Sequence, residues 1–164
     1  MKTYNILFAV MSCFILGSVS AQENKTISEE AIVSHSDSIE GLLKSQSFEF
    51  IAKTVYPLSG SPKNVVGSDY SVTFSPEMVV SNLPFFGRAY SGMKMGRDKG
   101  MRFKGKPENF QIEKAEAYQV STLVNDGDTY KISLSLSNSG NATLTISSNS
   151  RGTISYQGDI VHRK

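Results

Sequence analysis

From Tyr130 to Ile160 the apolar residues fall on every second position, and this spacing limits what the chain can fold into more than any other feature. Tyr130, Ile132, Leu134 and Leu136 alternate with Lys131, Ser133, Ser135 and Ser137, and Asn138-Ser139-Gly140-Asn141 then turns the chain. Ala142, Leu144 and Ile146 alternate with Thr143, Thr145 and Ser147, and residues Asn149 to Gly152 turn it again into Ile154, Tyr156, Gly158 and Ile160. Successive side chains of a strand point to opposite faces, so each run has one buried and one wetted side. Parallel sheets, covered on both faces, rarely show that contrast, and the segment reads as an antiparallel meander. Burying Ile132, Leu134, Leu136 and Leu144 alone contributes about 6 to 12 kcal/mol before chain entropy is subtracted.

The same period appears earlier. Phe48, Phe50 and Ala52 alternate with Glu49, Ile51 and Lys53 until Pro57 ends the run. Tyr70, Val72 and Phe74 repeat it after the polar loop Ser59 to Ser68, and Met78, Val79 and Val80 begin another strand after Pro76. Met101 to Phe103, Phe110 to Tyr118 and Gln119 to Val124 are weaker strand candidates. Ahead of them, Thr26-Ile27-Ser28-Glu29 forms a capping box, and Ile32, His35, Ile39, Leu42 and Leu43 recur at helical spacing. These patterns predict a mainly β fold: a helix over about Glu29 to Ser45, then about eight short antiparallel strands. A sheet that long curls into a barrel or splits into two layers.

The first twenty-one residues have a different character. Lys2, the apolar run Ile6 to Leu16 and the small-residue exit Val19-Ser20-Ala21 form a signal peptide, with cleavage expected after Ala21. The run is shorter than the roughly 20 residues that span a bilayer. A lipid anchor at Cys13 is disfavoured because Phe14-Ile15-Leu16 continues the apolar segment past it. The expected mature chain, residues 22–164, has no cysteine, which excludes disulfides, thiolate nucleophiles and cysteine-ligated metal sites. Its roughly 140 residues suit one domain held by its core, in the periplasm or cell envelope, with no transmembrane segment.

Several blocks resemble an exported bacterial family. Leu83-Pro84-Phe85-Phe86-Gly87-Arg88-Ala89-Tyr90, Ser139-Gly140 with Ala142-Thr143-Leu144, and Arg151 with Ile154-Ser155-Tyr156-Gln157-Gly158 look like the pattern of domain of unknown function 4251. Phe48-x-Phe50-x-Ala52 and Gly100-Met101-Arg102-Phe103 are similar to it as well. Phe85 departs from the pattern, where a tyrosine is expected, and so removes a hydroxyl. The resemblance implies an envelope-associated protein of Bacteroides-like bacteria with a lipocalin-like barrel. It implies no activity.

Charge picks out one candidate site. Residues 88–106 hold Arg88, Lys94, Arg97, Lys99, Arg102, Lys104 and Lys106 against Asp98 alone, a local charge of +6. The mature chain nets only +1, from sixteen basic and fifteen acidic residues, so the remainder is acidic. Glycines at 87, 92, 96 and 100 predict a long mobile loop there, and Arg88, Tyr90, Arg97, Lys99, Arg102 and Lys104 are the candidate ligand-binding residues. A basic flap of this kind attracts an anionic or amphipathic small molecule, while the ordinary alternative is a solvated loop. Phe85, Phe86 and Tyr90 lie beside it, either packed or lining a pocket mouth.

Enzymatic chemistry has little to stand on. Gly100-x-x-x-x-Gly105-Lys106 is followed by Pro107 where a phosphate-binding loop needs serine or threonine. His35 and His162 have no partner at metal-ligand spacing, no Gly-x-Ser-x-Gly elbow occurs, and no cofactor or nucleic-acid partner is implied. Three readings follow. The first is a non-enzymatic exported binding protein, the second an envelope protein-protein interaction module without a ligand cavity, and the third a hydrolase with an unidentified serine.

Overall fold

The computed structural model of the chain describes residues 38–87 and 100–163, all within the unit His35–Lys164. The expected signal peptide, Cys13, the expected capping box and His35 lie outside the described residues. Within them, helix α1 (38–44) buries Ile39, Leu42 and Leu43 and is followed by ten strands. These are β1 (Phe48–Tyr56), β2 (Lys63–Asn64), β3 (Ser71–Phe74), β4 (Val79–Pro84), β5 (Gly100–Gly105), β6 (Pro107–Lys114), β7 (Tyr118–Asn125), β8 (Thr129–Leu136), β9 (Asn141–Ser148) and β10 (Ile154–His162). No described helix is long and apolar enough to cross a membrane.

All the strands join one antiparallel sheet in the order β5-β4-β3-β1-β10-β9-β8-β7-β6, with the two-residue β2 pairing β1 off this path. The sheet curls into a nearly closed barrel. Its two edges, β5 and β6, are consecutive in sequence and separated only by Lys106. Residues 100–114 therefore form one extended stretch whose first half pairs with β4 and whose second half pairs with β7. At the handover the Lys104 amide donates to Asp126 Oδ2 (2.9 Å). Gly105 lies so close to β7 that a Cβ there would stand 2.8 Å from the Asn125 carbonyl oxygen.

The alternation from Tyr130 onward is realised as read. Ile132, Leu134, Leu136, Leu144, Ile146, Ile154 and Tyr156 point inward and are buried. Phe48 stacks on Phe74 (4.6 Å between centroids), and Phe103 of β5 stacks on Tyr130 of β8 (4.1 Å). Phe48, Phe50, Val79, Leu83, Met101, Leu134, Leu144 and Tyr156 are all 0 % exposed. A side chain with no exposure borders no space that water can enter, and all eight belong to one core cluster.

Two bulges depart from simple alternation. Lys53 is an extra residue between the pairs Ala52↔Gly158 and Thr54↔Gln157, which turns Val55 inward where strict period two would place Thr54. In β6, Asn109 takes φ 52° where the register slips between Glu108 and Gln111, and the buried Thr122 hydroxyl donates to the Glu108 carbonyl (2.9 Å). Neither bulge is visible as a break in hydrophobic pattern.

Candidate functional site

At the β4–β5 junction, described up to Gly87 and again from Gly100, the two strands draw together in a narrow neck. Pro84 and Gly100 are cross-strand partners at its base. Two side chains from the far part of the sequence fasten the two sides of the neck. The Tyr156 hydroxyl donates to the Pro84 carbonyl (2.7 Å), and Arg151 Nη1 donates to the Gly100 carbonyl (2.6 Å). The Arg151 guanidinium also lies 5.8 Å from the Phe85 ring centroid, within cation-π range. Burial pushes the Tyr156 phenol well above its ordinary value, against the opposing pull of Arg151, so the hydroxyl keeps its proton and stays a donor.

Local sequence explains the placement. Alternation in β10 sends Ile154 and Tyr156 inward, and the Asn149 to Gly152 turn delivers Arg151 to the barrel mouth, where it is only 6 % exposed. The turn is itself clamped. Asp128 accepts from the backbone N–H groups of Thr129 (2.8 Å), Asn149 (3.2 Å) and Ser150 (3.1 Å) and from the Ser150 hydroxyl. Burial opposes ionisation of Asp128, but the hydrogen bonds from Ser150, Ser148 and Thr129 outweigh it and hold the carboxyl down at about 2.

Of the residues singled out by charge, Arg88, Tyr90, Lys94, Arg97 and Lys99 lie outside the described residues. Arg102 and Lys104 do not belong to a loop. They sit on β5, exposed on its outer face, alternating with the inward-facing Met101 and Phe103, so the basic segment is partly strand. The reason is that Met101 and Phe103 are core residues, and alternation turns their neighbours to solvent. Gly100 to Gly105 likewise forms a strand, and Pro107 starts β6 rather than a helix. His162 is exposed at the end of β10, opposite Phe48.

Beside the neck stands a group of exposed apolar side chains. Leu58 is 76 % exposed, Val66 64 % and Phe86 41 %, and Lys63 Nζ lies 5.2 Å from the Phe86 ring centroid. Leu58 and Val66 belong to the 57–69 excursion, which reads in sequence only as a polar loop. Three apolar residues inside it, Leu58, Val65 and Val66, were the available signal. On the outer face of β6 to β9 there is also an open groove of about 350 Å³, lined by side chains that include Gln111, Ser121, Lys131, Ser133 and Thr145.

The model of the family called Domain of unknown function (DUF4251) matches residues 33–160. The chain belongs to that family. A DUF4251 protein from Bacteroides eggerthii DSM 20697, known from its crystal structure, superposes on this DUF4251 chain with a TM-score of 0.60 at 20% identity. The likeness covers 79% of this chain and 88% of that one, and it shows a shared fold. No functionally curated protein matches the chain. Three of the five segments that carry the family resemblance, Leu83 to Tyr90 in its described part Leu83 to Gly87, Gly100 to Phe103, and Arg151 with Ile154 to Gly158, contribute residues to the neck.

Proposed function

We propose that this DUF4251 chain is an exported, non-enzymatic binding module that engages an anionic or amphipathic partner with its outer surface, at the end that carries the neck. The observation behind this reading is the filled interior. Inward-facing aromatic and aliphatic residues at 0 % exposure leave no water-sized space beside them, which supports recognition outside the barrel over a cargo within it. What remains for recognition is the rim and the outer face. Arg102 and Lys104 project there from β5, and the basic residues Arg88, Lys94, Arg97 and Lys99 follow Gly87 in sequence. Export rests on the signal peptide Met1 to Ala21.

The filled interior also favours the interaction-module reading over a carrier of small molecules. Its natural strand-pairing surface is the free edge of β6. That edge starts with Pro107, which has no N–H to offer, is interrupted by the bulge at Asn109, and carries Glu108, Glu113 and Lys114. Such features discourage strand addition. Recognition by charge at the neck end is therefore the better reading.

Replacing Arg97, Lys99, Arg102 and Lys104 with serine tests it. Salt-sensitive retention on a heparin column is expected to be lost, while the melting temperature stays nearly unchanged because Arg102 and Lys104 are exposed. Retention equal to that of the parent protein overturns the reading.

A further inference from the structure

We infer that a clasp of side chains, in place of a strand ladder, shuts the barrel along β5, and that β5 opens at this seam while β7 to β10 stay folded. Among the described strands β5 pairs only with β4. On its other edge the Lys104 amide donates to Asp126 Oδ2 (2.9 Å) and the Gly100 carbonyl accepts from Arg151 Nη1 (2.6 Å). Residues an even number apart on a strand turn their backbone groups to the same side, so both bonds lie along one edge. Inside that edge, Phe103 stacks on Tyr130 of β8 (4.1 Å). By comparison, β7 and β8 are joined by eight cross-strand pairs.

Both bonds trace to one turn. Asp126-Gly127-Asp128 links β7 to β8, the Asp126 amide donates to the Asp128 carbonyl (2.9 Å), and Gly127 takes φ 66°, where glycine is favoured. The turn sends its two carboxylates to different partners. Asp126 holds β5, and Asp128 accepts from the Asn149 and Ser150 amides of the turn that carries Arg151. The same three residues therefore fasten β5 directly and, through Arg151, a second time. Asp126 and Lys104 are exposed, so water competes for the bond between them. A strand held on one side by few, partly hydrated bonds opens at lower cost than strands within continuous ladders. Opening bares Met101 and Phe103, which are 0 % and 3 % exposed when the seam is shut.

Thiol labelling of residues 22–164, which contain no cysteine of their own, tests the inference. Met101→Cys and Leu144→Cys each place a reporter at a fully buried position, one on β5 and one on β9. Maleimide labelling of M101C below the unfolding transition is expected to depend weakly on urea, as a local opening does, and labelling of L144C steeply, as global unfolding does. Adding Asp126→Ala should speed labelling of M101C about three- to tenfold, the size of one lost hydrogen bond, and leave L144C unchanged. Asp126→Asn, which keeps an oxygen to accept from Lys104, should retain the slow rate and separates the clasp from a distorted turn. Equal urea dependence of the two thiols overturns the inference, because β5 would then open only with the whole barrel. So does an M101C rate that ignores Asp126→Ala, an acceleration shared equally by L144C, or an Asp126→Asn rate as fast as that of Asp126→Ala.

Discussion

The hydroxyl of Tyr156 and the carbonyl of Pro84, 72 residues apart in sequence, form a buried 2.7 Å hydrogen bond that fixes one side of the neck. Removing a buried donor leaves the carbonyl without its partner, which costs about 1 to 3 kcal/mol. Tyr156→Phe is therefore expected to lower the unfolding free energy read from urea denaturation by that amount and to speed protease cleavage of the segment between Gly87 and Gly100. Unchanged stability with unchanged cleavage would show that the neck does not depend on this bond.

Gly158 sits opposite Ala52 at the β1 bulge, and a Cβ added there would stand 1.9 Å from the Ile51 carbonyl oxygen and 3.1 Å from the Phe50 ring. Backbone cannot yield as a flexible side chain does. Gly158→Ala should destabilise the protein by about 1 to 3 kcal/mol or more, the range of overpacked cores, read from equilibrium denaturation. Parent-like stability would mean that the bulge relaxes freely.

Asp128 gives stability a defined acid limit. Its folded carboxyl, held at about 2, lies below the ordinary aspartate value of about 3.9, so its contribution is complete above about pH 4 and disappears as pH falls toward 2. Glu40, lowered to about 2 by hydrogen bonds from Lys44, Lys114 and Tyr118, acts in the same direction and window. Asp128→Asn should reduce the slope of melting temperature against pH between 4 and 2 and leave the slope above pH 5 unchanged. An identical slope in the variant would remove Asp128 as a source of the acid dependence.

Helix α1 is attached in two ways of unequal weight. Glu40 meets Lys44 (2.7 Å), Lys114 (2.9 Å) and the Tyr118 hydroxyl (2.8 Å), but both lysines are more than half exposed. Exposed ion pairs contribute little. Leu43, fully buried, should cost about 2 to 5 kcal/mol when changed to alanine, whereas Glu40→Ala should shift the denaturation midpoint far less. The reverse ranking would make the polar cluster the anchor of the helix.

The strands that sequence described best are those whose two faces differ most. β8, β9 and β10 each set apolar residues against serine, threonine or lysine, and their inward sets were legible residue by residue. β6 was blurred because it is an edge: none of its residues is fully buried, and only Phe110 and Ile112 among its hydrophobic side chains pack partly buried against the core. β5 was read in two ways at once, since Met101 to Phe103 made a weak strand candidate while Arg102 and Lys104 were counted with the basic loop. The Lys53 bulge, which brings Val55 into the core, is set by the approach of β10. At the candidate site, the basic composition was plain. The role of Arg151 was not, because its hydrogen bond reaches Gly100 across 51 residues and only the closed sheet brings them together. Leu58 and Val66 lacked any periodic signal, Leu58 standing alone between Pro57 and Ser59 and Val66 directly following the buried Val65.

β1 and β10 lie side by side near the middle of the sheet, which postpones completion until the final strand has been made. β1, β3, β4 and β5 can assemble from neighbours in sequence, as can β6 to β10. The ladder that unites the two groups joins residues 48–56 to residues 154–162. Trimming the last dozen residues would thus split the barrel rather than shorten its rim. On the exported reading, a polypeptide threaded amino end first stays unlocked throughout its passage and closes only once it is across.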